Sequence, residues 1–178
     1  MRCKLYITAL IAGCLLLQGA VVSHAETSEL EYKVKAAFLL NFAKFVTWPE
    51  TANPPATFPL CVVGEDPFGV ALNGVEEKQI GGENVSLHRR LAIGDGLAQC
   101  RMLFVGSSER TNVKRILQVV AGKPVVTVGD IEGFAQAGGM FEFKDQGGRL
   151  SFVINNAKAK ESGLRISASL LSLALEVL

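Results

Sequence analysis

The 178-residue chain predicts an α/β fold: a mixed sheet, partly parallel, with a C-terminal antiparallel hairpin and flanking helices. Three observations carry this. Short apolar runs at residues 58–63, 102–105 and 124–128 suit strands buried on both faces. A helical pattern between the last two gives a strand–helix–strand rhythm, which implies parallel pairing. Met140–Lys144 and Arg149–Ile154 flank Asp145-Gln146-Gly147-Gly148, which reads as a hairpin with a four-residue loop.

In chain order, Glu29–Val46 is expected to be the first long helix, ended by Pro49. Val34, Phe38, Phe42 and Phe45 share one face, yet Ala36, Leu39 and Ala43 lie opposite, and only Lys33 and Lys44 mark a polar stripe. A helix that is apolar nearly all round is buried on two sides, and the second side fits a partner or a twin subunit. Asn53-Pro54-Pro55 is a loop and Phe58–Val63 a buried strand. Asp66-Pro67 offers an N-cap and a first-turn proline for a short helix. Gly81-Gly82 turns into a short strand, Asn84–Arg89. Ser107 or Ser108 is expected to cap a helix over Glu109–Val120, with Gly122 behind it. Asn155 or Asn156 can cap a helix to Ser162, and a last helix is expected over Ser167–Leu178, again apolar on more than one face.

The chain divides into residues 1–25, a signal peptide, and residues 26–178, a single domain. Arg2 and Lys4 precede the apolar run Leu5–Leu17, and Ser23-His24-Ala25 offers small residues at the cleavage positions. Gln18, Ser23 and His24 interrupt the run short of the roughly 20 apolar residues that a membrane helix needs. A third reading is a lipoprotein acylated at Cys14, since Ile11-Ala12-Gly13-Cys14 resembles a lipobox. Once the signal is removed, only Cys61 and Cys100 remain. Two cysteines in an oxidising compartment usually pair, the alternative being two buried thiols.

The formal charge of +1 lacks the basic surplus of a nucleic-acid binder. Hydrophobic residues at 49% and charged residues at 20% argue against disorder. Catalytic signatures are missing. His88 is the one histidine after the signal, which leaves no two-histidine metal site, and beside Arg89 and Arg90 it reads as a surface residue. A Cys61–Cys100–His88 metal site would require both thiols reduced. Gly106-Ser107-Ser108 lacks the nucleophile-elbow pattern, and no phosphate loop occurs. Gly64-Glu65-Asp66 follows a strand, where α/β proteins often bind ligands, but its two carboxylates disfavour an anion. No catalytic residue, metal or cofactor is expected.

Several stretches together resemble the YfiR-like periplasmic proteins. These are residues 31–49, from Glu31 through Trp48-Pro49; Leu60-Cys61-Val62-Val63-Gly64 with Asp66-Pro67-Phe68-Gly69; Cys100–Val105; and the closing Gly133-Phe134, Gly138-Gly139, Phe152–Asn155 and Gly163–Ser167. The resemblance implies a periplasmic regulator without catalysis. Such a protein holds down an inner-membrane diguanylate cyclase by binding its periplasmic sensory domain, and an OmpA-type outer-membrane lipoprotein can sequester it. Cyclic di-GMP and biofilm growth are then under negative control. Cys61 and Cys100 match a cysteine pair of that family, whereas a second pair found towards the hairpin in some members is missing, since residues 101–178 hold no cysteine. Apolar surplus on the first and last helices places the partner or homodimer surface at Phe45, Trp48, Leu170, Leu171 and Leu175. The alternative is a small-ligand-binding periplasmic sensor module built on the Gly64–Gly69 turn.

Overall fold

A computed structural model describes residues 22–50 and 55–178, with the side chains of the first helix from Glu29 onward. The expected signal segment up to Val21, Cys14 included, and the Asn53-Pro54 part of the first loop lie outside the described residues.

Helix α1 (Val22–Lys44) is followed by β1 (Val46–Thr47), β2 (Phe58–Val63), β3 (Gln79–Ile80), β4 (Glu83–Leu91) and β5 (Met102–Val105). Then come α2 (Val113–Val119), β6 (Val126–Gly129), β7 (Phe141–Asp145), β8 (Leu150–Ile154), α3 (Asn156–Glu161), β9 (Arg165–Ile166), α4 (Ala168–Leu171) and β10 (Glu176–Val177). Eight strands form one sheet in the order β10-β8-β7-β6-β5-β2-β4-β3. Strands β4, β2, β5, β6 and β7 are mutually parallel, while β7–β8 and β3–β4 are antiparallel. The expected mixed sheet and its C-terminal hairpin are thus present. A separate antiparallel pair, β1–β9, ties the end of α1 to the segment after α3.

The central strands obey the two-residue alternation of side chains. Phe58, Leu60 and Val62 of β2, Met102 and Phe104 of β5, and Val126 and Val128 of β6 face one layer, which Ala36, Leu39, Phe42 and Ala43 of α1 cover. Cys61, Val63, Leu103 and Val105 face the other, against Leu97 and against Val113, Ile116 and Val120 around α2. Phe42 is the aromatic hub of the first layer, with ring centroids 4.5 Å from Phe141 and 4.9 Å from Phe152. Continuous apolar runs are required here because both faces of the sheet are covered.

Three local expectations change. Helix α1 begins upstream of Glu29 and runs through the predicted cleavage point. The two candidate serines do not cap the helix after β5: Ser107–Asn112 is a 3-10 helix leading into α2, without a side-chain cap bond. The last helix stops after one turn. Ser167 caps it, its Oγ accepting from Leu170 N at 3.2 Å. The chain then extends into β10, where Leu175 N donates to Phe152 O and Leu178 N to Ile154 O, both at 2.8 Å. An edge of β8 left bare would strand those carbonyls, and a continued helix could not reach them. The Leu178 carbonyl also accepts from the first amides of α3, Asn156 N and Ala157 N.

At the opposite side of the sheet β3 covers only Glu83 and Asn84, so the rest of β4 forms that edge, and it is blunted. Register slips between Cys61, opposite His88, and Val63, opposite Leu91, and Arg90 at φ 56° takes up the extra β4 residue. Such a bulge, with His88 and Arg90 exposed on it, discourages edge-to-edge pairing.

Candidate functional site

Doubly wound sheets bind ligands where successive connections leave opposite faces, outside the carboxyl ends of the strands. That switch point falls between β2 and β5. The connection after β2 sends Phe68, Leu72 and Val75 into the α1 layer, and the one after β5 sends Val113 and Ile116 into the other. The crevice there is filled by the protein itself. Glu65 N donates to Ser108 Oγ at 3.1 Å across it. Gly64, at φ 78°, lies beneath Glu109, where a Cβ would stand 2.5 Å from Oε1. Asp66 Oδ1 accepts from Phe68 N at 2.9 Å, and its other oxygen pairs with Arg89, which also donates to Gly69 O. The Gly64–Gly69 turn is therefore self-satisfied, and Ser108 staples two loops.

Below this point the disulfide joins Cys61, in the middle of β2, to Cys100, just before β5, with Cα atoms 6.0 Å apart. It crosslinks the two strands that flank the switch point. Register alone would set Cys61 opposite Leu103. The short 3-10 turn Asp95–Gln99 that precedes Cys100 is what brings its Cα within bridging distance of Cys61. His88 lies exposed on β4, away from any cluster of ligating groups. Among the described residues no group of three His, Cys, Asp or Glu could hold a metal ion.

Two polar nodes carry no motif in the sequence. Tyr32 Oη donates to Asp130 Oδ2 at 2.9 Å, and Lys35 Nζ lies 3.2 Å from the same oxygen. This node pins the N-terminal half of α1 to the residue after β6. Burial, and then the Asp130 carboxylate beside it, push the Tyr32 phenol well above the usual tyrosine range. In the second node, Glu142, fully buried on β7, accepts from Gly133 N at 3.0 Å and Ala135 N at 2.9 Å and pairs with Lys144. It braces the β6–β7 crossover. Phe134 is wedged there against Gly129 and Gly139, so close that a Cβ on either glycine would overlap its ring. Phe134 and Gly139 of the closing sequence block are thus packing residues, whereas Gly133, Gly138 and Gly163 take positive φ. A spacing signal for the first node was lacking, since its members lie up to 98 residues apart. The second is local, within nine residues of Glu142, but matches no motif.

The surface-forming residues anticipated from the sequence divide. Trp48 is half-buried, its ring edge-on to Phe58 at 5.3 Å and covered by the Arg101 guanidinium at 4.9 Å. Arg101 is itself held by Glu83 through two bonds of 2.9 and 2.7 Å. Leu170 is in the core and Leu171 half-buried against it. Phe45 and Leu175 are exposed. They belong to a larger uncovered apolar set: Leu30 and Val34 along the outer side of α1, and Leu173, Leu175 and Val177 at the C-terminal edge. Leu173 is 69% and Leu175 50% exposed. Phe38, Leu150, Phe152, Leu173 and Leu175 line a hollow of about 360 Å³ between the helix and that edge. Contiguous exposed apolar surface of this kind marks contact sites. Among the described residues no helix is long and apolar enough to cross a membrane.

The arrangement defines a doubly wound α/β domain whose ligand crevice is shut and whose flank is apolar and open. The chain belongs to the YfiR/HmsC-like family, whose model matches residues 32–175. Two solved structures share the fold. One is a conserved domain protein from Vibrio cholerae, with TM-score 0.56 and 10% identity over 83% of this chain. The other is an ABC domain from Streptococcus pneumonia in complex with L-Trp, with TM-score 0.54 and 13% identity over 80% of this chain. The chain spans 60% of the length of each.

Proposed function

We propose that this protein is an exported, periplasmic regulator that restrains an inner-membrane diguanylate cyclase by binding its periplasmic domain. Membership of the YfiR/HmsC-like family implies a regulatory partner. The observation that carries the reading is the uncovered apolar flank of α1 and the C-terminal edge, set against a crevice closed by its own side chains. A surface of exposed leucines gains free energy by being covered, and a second protein supplies the area to do so.

In this reading, signal cleavage after Ala25 leaves the mature chain as a single domain beginning within α1. Phe45 and Leu175 contact the partner directly, Leu171 lies at the margin and Leu170 supports it from the core, while Trp48, packed on Phe58 and under Arg101, lies outside this flank. The same flank serves a homodimer, or an OmpA-type lipoprotein that sequesters the regulator. The protein carries out no chemistry of its own. Closure of the Gly64–Gly69 turn weighs against the sensor-module alternative.

Deleting the gene should raise cellular cyclic di-GMP and biofilm mass, and deleting the partner cyclase as well should return both to baseline. Complementation with Phe45→Lys or Leu175→Lys should fail although the protein accumulates normally. Unchanged cyclic di-GMP on deletion refutes the regulatory reading.

A further inference from the structure

One end of the apolar flank differs chemically from the rest. A hollow of about 250 Å³ is enclosed by Leu30, Glu31 and Val34 of α1 and by Asp145, Gly148 and Leu150 of the β7–β8 hairpin. Leu30, Val34 and Leu150 make its lining aliphatic apart from Gly148 and two acids, and Leu30 is 64% exposed. The two ionisable residues that line it are both acids, Glu31 and Asp145.

Neither acid is fully neutralised. Glu31 lies 2.6 Å from Lys35 Nζ, but the same ammonium also serves Asp130 at 3.2 Å. The side chains of Lys35 and Asp130 are 6% and 7% exposed. An ion pair in that low-dielectric setting is held far more strongly than one at the surface. Asp130 Oδ1 has no hydrogen-bond donor, which increases its demand on Lys35. One ammonium therefore balances two carboxylates, and the half-exposed Glu31 keeps residual negative charge. Asp145 accepts from Gly148 N at 2.7 Å and enters none of the ion pairs among the described residues. Arg149 lines the neighbouring hollow with Leu173 and Leu175, not this one.

We infer that this hollow docks a basic–aliphatic segment of a protein partner. An aliphatic side chain fills the space over Leu30, Val34 and Leu150, and an adjacent Lys or Arg meets Glu31 and Asp145. Charge complementarity selects this occupant. A second copy presenting the same patch about a two-fold axis would set acid against acid, and an anionic small molecule is repelled. The inference rests on the protein-binding reading above and adds the partner's chemistry at one end of the flank.

Methyl NMR on the full mature chain tests it with three end-blocked tripeptides: lysine-leucine-lysine, glutamate-leucine-glutamate and glutamine-leucine-glutamine. The lysine peptide should shift the Leu30, Val34 and Leu150 methyls saturably. The effect should weaken about fivefold in a Glu31→Gln, Asp145→Asn double variant, and weaken again in about 0.5 M salt. The glutamate peptide should leave these methyls unmoved. Asp145→Asn alone, which keeps the turn acceptor and the Glu31–Lys35 pair, guards against a folding defect and should weaken binding by a smaller factor. Equal shifts from the lysine and glutamate peptides, silence from all three, or unweakened binding in the variants overturns the inference. Restraint of the cyclase is read separately in cells, so a silent titration removes this specificity and leaves the regulatory reading to its own test.

Discussion

At the β2/β5 switch point the polar groups of the two loops find partners within the chain: Glu65 N on Ser108, Asp66 on Phe68 N and Arg89, Glu109 on Asn112. Along α1 and the C-terminal edge the imbalance is reversed. Leu30, Val34, Leu173, Leu175 and Val177 are apolar and face water. The first region has the topology of a ligand site, but its two loops are bonded to each other across it. The second has no pocket chemistry in the usual sense, but its free energy falls when another surface covers it. The contrast separates where a fold class usually works from where this chain has surface to spare.

The comparison can be broken by loosening the closed region. Replacing Cys61 and Cys100 together by serine should cost about 2–4 kcal/mol, read as a lower urea midpoint. Because the bridge joins the strands on either side of the crevice, partner binding by the distant flank should survive at low temperature. Loss of both together would show that the two regions are coupled. Thiol counting on the denatured, unreduced mature protein should find no free thiol.

Gly64→Ala should cost about 2–3 kcal/mol, since the new Cβ meets Ser108 and Glu109 at a left-handed backbone position. A near-neutral result would mean that the Ser108 staple yields easily and that the crevice can open.

A smaller effect is expected at Tyr32. Its folded-state pKa is raised, so above about pH 10 the unfolded chain loses this proton before the folded one does. Its contribution to stability is full below that pH and declines as pH rises. Tyr32→Phe should cost about 1 kcal/mol at neutral pH and flatten the alkaline decline. Parallel profiles for both proteins between pH 9 and 11 would contradict the buried Tyr32–Asp130 bond.

The smallest change in stability belongs to the open flank. Leu173→Lys should shift unfolding by less than about 0.5 kcal/mol while weakening partner binding. A large thermal loss would place Leu173 in a packed environment and erase the contrast.

Much of the scaffold was legible. The runs Phe58–Val63 and Met102–Val105 are strands with the bounds read from their composition, and the Gln146–Arg149 turn joins the expected hairpin. The C-terminal segment reads as one helix from Ser167 to Leu178, of which only the first turn, Ala168–Leu171, is helical. Glu176–Val177 is the strand, so the turn between them breaks a run whose composition shows no interruption. Of the candidate contact residues, Phe45 and Leu175 were legible as surplus apolar surface. Whether Leu170 and Trp48 belonged to the same surface was not, because burial depends on what packs from elsewhere.

By itself, the sequence determined the local terms: which runs are apolar at which period, where glycine and proline interrupt them, and that Cys61 and Cys100 are the two cysteines beyond residue 25. These follow from nearest-neighbour sterics and side-chain spacing. Tertiary structure alone decided the long-range assignments. The free edge of β8 pulled the last residues out of a helix, Ser108 closed a crevice rather than capping a helix, and a carboxylate 95 residues away became the counter-ion of Lys35. Each depends on an unsatisfied hydrogen-bonding or charged group that another part of the chain brings within 4 Å, and no local pattern encodes that distance.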